Sequence, residues 1–143
     1  MKKPKSTAKL KKDLWIIFSR YIRLRDALKT TGHVADSQCV TCFNTYPITS
    51  MDAGHFYSRR YTAILFDEKN VHAQCVKCNY SGGEQYLYSL RIQALYGQKE
   101  LDRLTKAKTE TKKFTPKELQ NLITSYKSRV KEIITVHGSP WKI

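Results

Sequence analysis

Cys39-Val40-Thr41-Cys42 and Cys75-Val76-Lys77-Cys78-Asn79 bracket the stretch that decides the fold, with Asp52-Ala53-Gly54-His55 and Asn70-Val71-His72 between them. Two Cys-x-x-Cys pairs in one short segment can wrap a single tetrahedral metal ion, because each pair sets two thiolates on one tight knuckle. Zinc is the expected occupant. The two pairs use all four cysteines of the chain. Its lysine-rich start carries no apolar secretory segment, so a reducing compartment is expected, which argues against disulfides. A disulfide or redox pair is the alternative, but a thioredoxin-like motif needs only one Cys-x-x-Cys. Cys39, Cys42, Cys75 and Cys78 would leave zinc no open coordination position, so the ion is expected to build structure rather than catalyse. Its binding free energy, on the order of 10 kcal/mol or more, would hold together a segment with little apolar content.

Between the knuckles lies a set of polar residues. His55 follows a glycine and precedes an aromatic, Asn70 stands ahead of Cys75, and Asn79 directly follows the last cysteine. This spacing resembles the zinc-stapled HNH nucleases of the ββα-metal group, in which a histidine, an asparagine and a further histidine or asparagine fill these places. The flanks narrow the likeness. Ala53-Gly54-His55-Phe56-Tyr57-Ser58-Arg59-Arg60 and Asn70-Val71-His72-Ala73-Gln74-Cys75-Val76-Lys77-Cys78-Asn79, with Tyr21-Ile22-Arg23-Leu24-Arg25-Asp26-Ala27 upstream and a lysine-rich helical tail, resemble the phage NinG family, also called Rap, of recombination endonucleases.

That resemblance implies an α+β fold, a small zinc-stapled ββα-metal (HNH-like) core flanked by N- and C-terminal α-helices. It implies a metal-dependent endonuclease acting on branched recombination intermediates such as Holliday junctions and D-loops, with Mg²⁺ or Mn²⁺ and water as nucleophile. It further implies a phage-encoded protein working in the bacterial cytoplasm beside phage or host recombination proteins. His55 matches the family's general base, and a neutral imidazole titrating near 6.5 suits proton abstraction. Asn70 matches the residue that orients the base or its loop; its ordinary reading is a turn asparagine. Asn79 matches a ligand of the catalytic ion, its ordinary reading being a helix N-cap. The residue before the base, commonly an Asp or His ligand, is here Gly54. Asp52 and His72 are therefore the two candidates for the second protein ligand, oxygen being the donor Mg²⁺ prefers. Ser58, Arg59 and Arg60 follow the base, where guanidinium forks can hold the scissile phosphate.

The rest of the chain frames this site. At 143 residues it is long enough for one domain, and a net charge of +14 with a pI near 9.7 points to a polyanion, nucleic acid before a ribosomal, membrane-surface or solubilising role. No apolar run approaches the roughly 20 residues of a transmembrane helix. Residues 1–12, with Lys2, Lys3, Lys5, Lys9, Lys11 and Lys12, read as a flexible basic arm. Residues 13–104 read as the nuclease domain, beginning with a helix over 13–31. Its stripe of Leu14, Trp15, Phe18, Tyr21, Ile22 and Leu28 is expected to pack inward, Trp15 and Tyr21 as core in preference to base-stacking platforms, while Arg20, Arg23 and Arg25 fall largely off it and can face phosphates. Tyr61–Phe66, rich in β-formers, is expected to pair back with Asn70-Val71-His72. A helix over 84–96 should bury Leu87, Leu90, Ala94 and Tyr86, and a shorter one follows at 101–104. After a linker at 105–114, Thr115-Pro116-Lys117-Glu118 starts a C-terminal amphipathic helix within 115–143. Its Leu119, Leu122, Ile123, Tyr126, Val130 and Ile133 must be buried on the first helix or on a second copy.

Branched double-stranded DNA presents two strands near a symmetric centre, so a homodimer is expected. The DNA contacts are expected from Lys2, Lys3, Lys5, Arg20, Arg23, Arg25, Ser58, Arg59, Arg60, Lys77, Lys127 and Lys131. Two rival functions stand beside this one. A non-catalytic zinc module that binds DNA is supported by Gly54. A sequence-specific HNH nuclease is disfavoured by a short chain with no separate reading domain.

Overall fold

The computed structural model of the protein describes residues 3–141, so Lys2 lies outside the described residues. Its longest helix, α1, spans Thr7–Thr31; the Ser6 side chain caps it by accepting from the Lys9 amide, and Gly32 ends it in the left-handed region. α1 thus starts at Thr7 rather than at Asp13, and much of the stretch expected to be a flexible arm is helical. The cause is local: lysine is a good helix former, Leu10 is buried, and Lys5 and Lys9 both pair with Asp13.

The last helix, α5, runs Pro116–His137 from a complete capping box between Thr115 and Glu118. It buries Leu119, Ile123, Tyr126 and Val130 in one cluster with Leu14, Phe18 and Ile22 of α1. Phe18 meets Tyr126 edge-on at 5.0 Å and Phe66 at 5.7 Å. Each such side chain contributes about 1.5–3 kcal/mol by leaving water. The apolar stripe of α5 is therefore satisfied within one chain.

Two small antiparallel sheets complete the fold. β1 (Asp36–Gln38) pairs with β2 (Thr45–Pro47), and β3 (Met51–His55) pairs with β4 (Val71–Cys75) in a register that sets Asp52 opposite Gln74 and Gly54 opposite His72. The strand expected over Tyr61–Phe66 is instead a loop with a 3-10 turn at Thr62–Ile64. Its β-formers are used for packing: Ile64 is buried with Phe56 and Tyr88, and Phe66 packs on the α1–α5 cluster. α1 is fastened to β4 by Asp26, whose buried carboxylate accepts the Ala73 amide at 2.7 Å.

α2 (Val76–Tyr80) follows β4 directly, with the Cys75 side chain as its N-cap. α3 (Gln85–Tyr96) buries Tyr88 and Ile92. Leu90, Ala94 and Tyr86, expected inside, are exposed, and Leu87 is half-buried. The helix is turned this way because the Tyr88 hydroxyl reaches the Gly54 carbonyl at 2.8 Å and His72 Nδ1 at 3.0 Å, a buried polar set that the expected face could not satisfy. α4 (Gln98–Ala107) buries Leu104 and leads into an irregular stretch before α5. No helix among the described residues is long and apolar enough to cross a membrane.

Candidate functional site

The two knuckles meet beside the β3–β4 pair. All four thiol sulfurs lie within 4.8 Å of one another, with Cys42 Sγ and Cys75 Sγ 4.0 Å apart. That spacing is far from the S–S bond of about 2.05 Å and close to the sulfur–sulfur edge of about 3.8 Å in a tetrahedral thiolate site. The four cysteines could hold a structural zinc ion. Burial opposes ionisation of Cys39, but the Cys75 amide and the Thr41 hydroxyl bring its pKa down to about 7. Burial pushes Cys78 up to about 12, and a cation among the sulfurs would reverse that. Arg91 of α3 supports the first knuckle, its guanidinium 3.6 Å from the Phe43 ring centroid and its Nη2 donating to the Thr41 carbonyl.

Between α1, β3 and the turn after α2 opens a cleft of about 650 Å³. β3 supplies Asp52 and His55, and the loop after it supplies Ser58 and Arg59. Trp15 and Arg23 stand on the α1 wall, with Asn79 and Tyr80 opposite. His55 Nε2 lies 3.0 Å from the Leu65 carbonyl oxygen. A carbonyl only accepts, so Nε2 carries the hydrogen and Nδ1 is left as the basic nitrogen. The ring stacks on Trp15 at 4.9 Å and 22°, and the Arg59 guanidinium lies 4.4 Å from the same indole. Burial lowers the His55 pKa to about 4; the Leu65 hydrogen bond opposes this and the Arg59 charge adds to it.

Asn79 Nδ2 donates to Asp52 Oδ2 at 3.0 Å, which uses the amide's donor side and leaves its carbonyl oxygen available. Strand alternation puts Asp52 and Gly54 on one face of β3. A β-carbon at Gly54 would lie 2.0 Å from Gln74 Oε1, so a side chain before the base would force the Gln74 amide to move. Gln74 is fully buried and donates to the Gly83 carbonyl and Thr41 hydroxyl, while its Oε1 has no donor among the described residues.

Asn70 sits behind the site and is fully buried. Its Oδ1 accepts the Tyr57 amide at 2.9 Å, and its Nδ2 donates to the carbonyls of Tyr57 and Ile64. It therefore pins both ends of the loop whose Leu65 carbonyl holds His55. His72 does not join the cleft. It lies on the α3 side of the sheet, with Nδ1 on Tyr88 and Nε2 2.6 Å from the Tyr96 hydroxyl. The Tyr88 proton goes to Gly54, so Nδ1 donates to Tyr88 and Nε2 accepts from Tyr96. Both nitrogens are engaged, and His72 is not a ligand for an ion in this cleft.

The expected DNA contacts divide in the same way. Arg25 is withdrawn into the fold, its guanidinium bound to Asp26 and to the carbonyls of Glu68 and Val71, so it cannot meet phosphate. Arg60 turns to the Tyr61 hydroxyl rather than into the cleft, and Lys5 pairs with Asp13. Arg20 and Arg23 lie over the Trp141 ring, with Arg23 also on the cleft wall. Lys3, Lys77, Lys127 and Lys131 are exposed. Trp15 and Gln74 are the site residues that sequence reasoning missed. Trp15 carried a faint signal as an aromatic on the edge of a helical stripe, and Gln74 carried none.

Comparison with known proteins places the chain in a family. The family model described as Bacteriophage Lambda NinG protein matches residues 1–135, and the chain belongs to that family. It is 28% identical to protein ninG of Escherichia phage 933W over 100 residues, covering 68% of this chain and 49% of that protein. It is 27% identical to protein ninG of Escherichia phage lambda, covering 68% and 48%. The chain thus spans about half the length of the curated relatives it matches. No solved structure matches.

Proposed function

We propose that this chain is a zinc-stapled ββα-metal endonuclease that nicks branched DNA, with the cleft around His55 as its active site. One observation carries the reading: a histidine with its tautomer fixed shares a cleft with a carboxylate–amide oxygen pair and an arginine. In this reading the hairpin β3–β4 and helix α2 would be the two strands and helix of that core, and the four clustered cysteines would be the zinc site.

The donor set fits a hard divalent ion. Asp52 offers a carboxylate and Asn79 a carbonyl oxygen, and the buried Gln74 occupies the space that a ligand just before the base would need. Asp52 and Asn79 would hold Mg²⁺ or Mn²⁺, which when bound would neutralise the charge that develops on the phosphate and leaving oxygen. His55 Nδ1 takes a proton from water, the hydroxide forms a bond to phosphorus, and one P–O bond breaks with its electron pair on the departing oxygen. Asn70 and the Leu65 carbonyl keep Nδ1 directed into the cleft. Arg59, held over Trp15, places the phosphate. Arg20, Arg23, Lys77 and the α5 lysines Lys127 and Lys131 grip backbone, which reads shape instead of sequence. Action in phage recombination in the host cytoplasm, and pairing of two chains on a junction, belong to the same proposal.

A second reading has its own support. Gly54, packed against Gln74, leaves the usual ligand position without a side chain, which is what a DNA-binding module that has lost the chemistry would also contain. Incubating the zinc-loaded chain with an immobile four-way junction and a linear duplex of the same sequence, with or without added Mg²⁺ and with no chelator present, separates the two. Junction nicking that requires the divalent ion is expected. Junction binding without cutting in both Mg²⁺ and Mn²⁺ would favour the binding module.

A further inference from the structure

Next to the cleft, and sharing Trp15 and Arg59 with it, lies a second groove of about 460 Å³. The proposed chemistry makes no use of it. Ile16, Leu65 and Phe66 give the groove an apolar lining, with Lys11 and Lys12 on its α1 rim. Lys11 and Lys112 extend that rim, lying 5.9 and 5.6 Å from the Phe114 ring, which itself meets Phe66 edge-on. No acidic residue lines the groove. Ile16 is 53% exposed. A lone exposed isoleucine is ordinary, but here it shares a concave apolar surface bordered by cations.

We infer that this groove holds a single nucleobase of the strand whose phosphate occupies the cleft, an inference that rests on the nuclease reading above. The base would lie against Ile16, Phe66 and the Trp15 indole, with its flanking phosphates on Lys11, Lys12 and Arg59. The mixed chemistry of the groove selects this occupant. An apolar floor with a cationic border is matched by a ligand that joins flat rings through anionic links. A strand leaving the cleft also enters the groove without losing contact with the protein, because the two share a wall. In an intact duplex the bases are paired and stacked. Beside a branch point they unstack at lower cost, so an unpaired-base subsite would favour branched over linear DNA without reading sequence.

The test is a binding measurement that needs no cleavage. Zinc-loaded full-length chain carrying His55→Ala is titrated, in buffer with no Mg²⁺ or Mn²⁺ and no chelator, against four-way junctions, each lacking one base within two nucleotides of the branch point. The same series is repeated with Ile16→Ala added, an exposed position whose variant should melt like its parent. Base removal at one position should weaken binding about fivefold, and in the Ile16→Ala background that loss should shrink to about twofold or less. A linear duplex should bind both proteins equally. If no position matters, or if the two losses simply multiply, the groove holds no base and is left to a protein partner or to solvent. Failure of cleavage in the junction assay would overturn the nuclease reading and leave this binding result intact, so the two failures are distinguishable.

Discussion

His55 has its protonation set by one carbonyl and its basicity set by burial. With a pKa of about 4 it is neutral throughout the physiological range, so the acid limb of the nicking rate should fall below about pH 5 rather than near 6.5. A pH–rate profile checks this. His72 carries the same sign into stability. Its pKa, lowered to about 4 by burial, lies below the unfolded value near 6.5, so its contribution is fully present above pH 6.5 and is lost as pH falls toward 4. Its ring resonances should show titration near 4, and a midpoint near 6.5 would contradict the buried Tyr88–His72–Tyr96 network. Asn70→Ala removes three hydrogen bonds and strands buried backbone groups. It should cost about 2–4 kcal/mol in a denaturant melt and loosen the loop behind His55. Motif spacing singles out His55, Asn70 and Asn79, and the structure places the first and last in one cleft with Asn70 buried behind it. Trp15 and Gln74 were not legible in the sequence, because their roles exist only once α1 crosses β3 and β4 brings Gln74 under Gly54.

The long helices were legible for a reason the short elements lacked. α1 and α5 repeat a buried stripe over many turns, and α5 announces its start with Thr115 and Glu118; Thr115→Ala should destabilise it by about 1 kcal/mol, read by thermal melting. Tyr61–Phe66 has the composition of a strand, yet its Leu65 carbonyl serves His55 and its Ile64 serves a separate core, so tertiary demands overrode propensity. α3 was assigned the wrong face because its inward side is chosen by a tyrosine hydroxyl and not by apolar periodicity. Contact between α5 and the loop before β4 runs through Glu68, which receives Tyr126 and Arg129. Burial raises the Glu68 pKa, and these two donors more than offset that, leaving it below the ordinary carboxylate range. Glu68 therefore stabilises the fold above its unfolded pKa, and that contribution is lost as pH falls through the lowered folded value. Glu68→Gln should flatten that acid-side decline in stability.

At the scale of the whole molecule, the knuckle end of the central segment is the part that four cysteines able to hold a zinc ion would stabilise. Among the described residues, the buried cluster at the knuckles adds Met51 and Ala73 to Cys39, Cys75 and Cys78, with Cys42 and Tyr46 packed against it. Chelation of zinc should therefore release β3, β4 and the cleft while the α1–α5 cluster keeps much of its helicity, seen as amide exchange confined to residues 39–79. Elemental analysis should find one zinc per chain. The charge of +14 would favour affinity for DNA but would not supply selectivity or chemistry, since every basic binder shares it. What distinguishes this chain is the geometry around one imidazole. The most direct measurement compares wild type with His55→Ala, both zinc-loaded and both shown to bind an immobile four-way junction, for nicking of that junction in Mg²⁺. Nicking by wild type that disappears in the variant while binding is unchanged is expected. Equal nicking by both proteins, or none by either, would contradict the assignment of the cleft as a nuclease site.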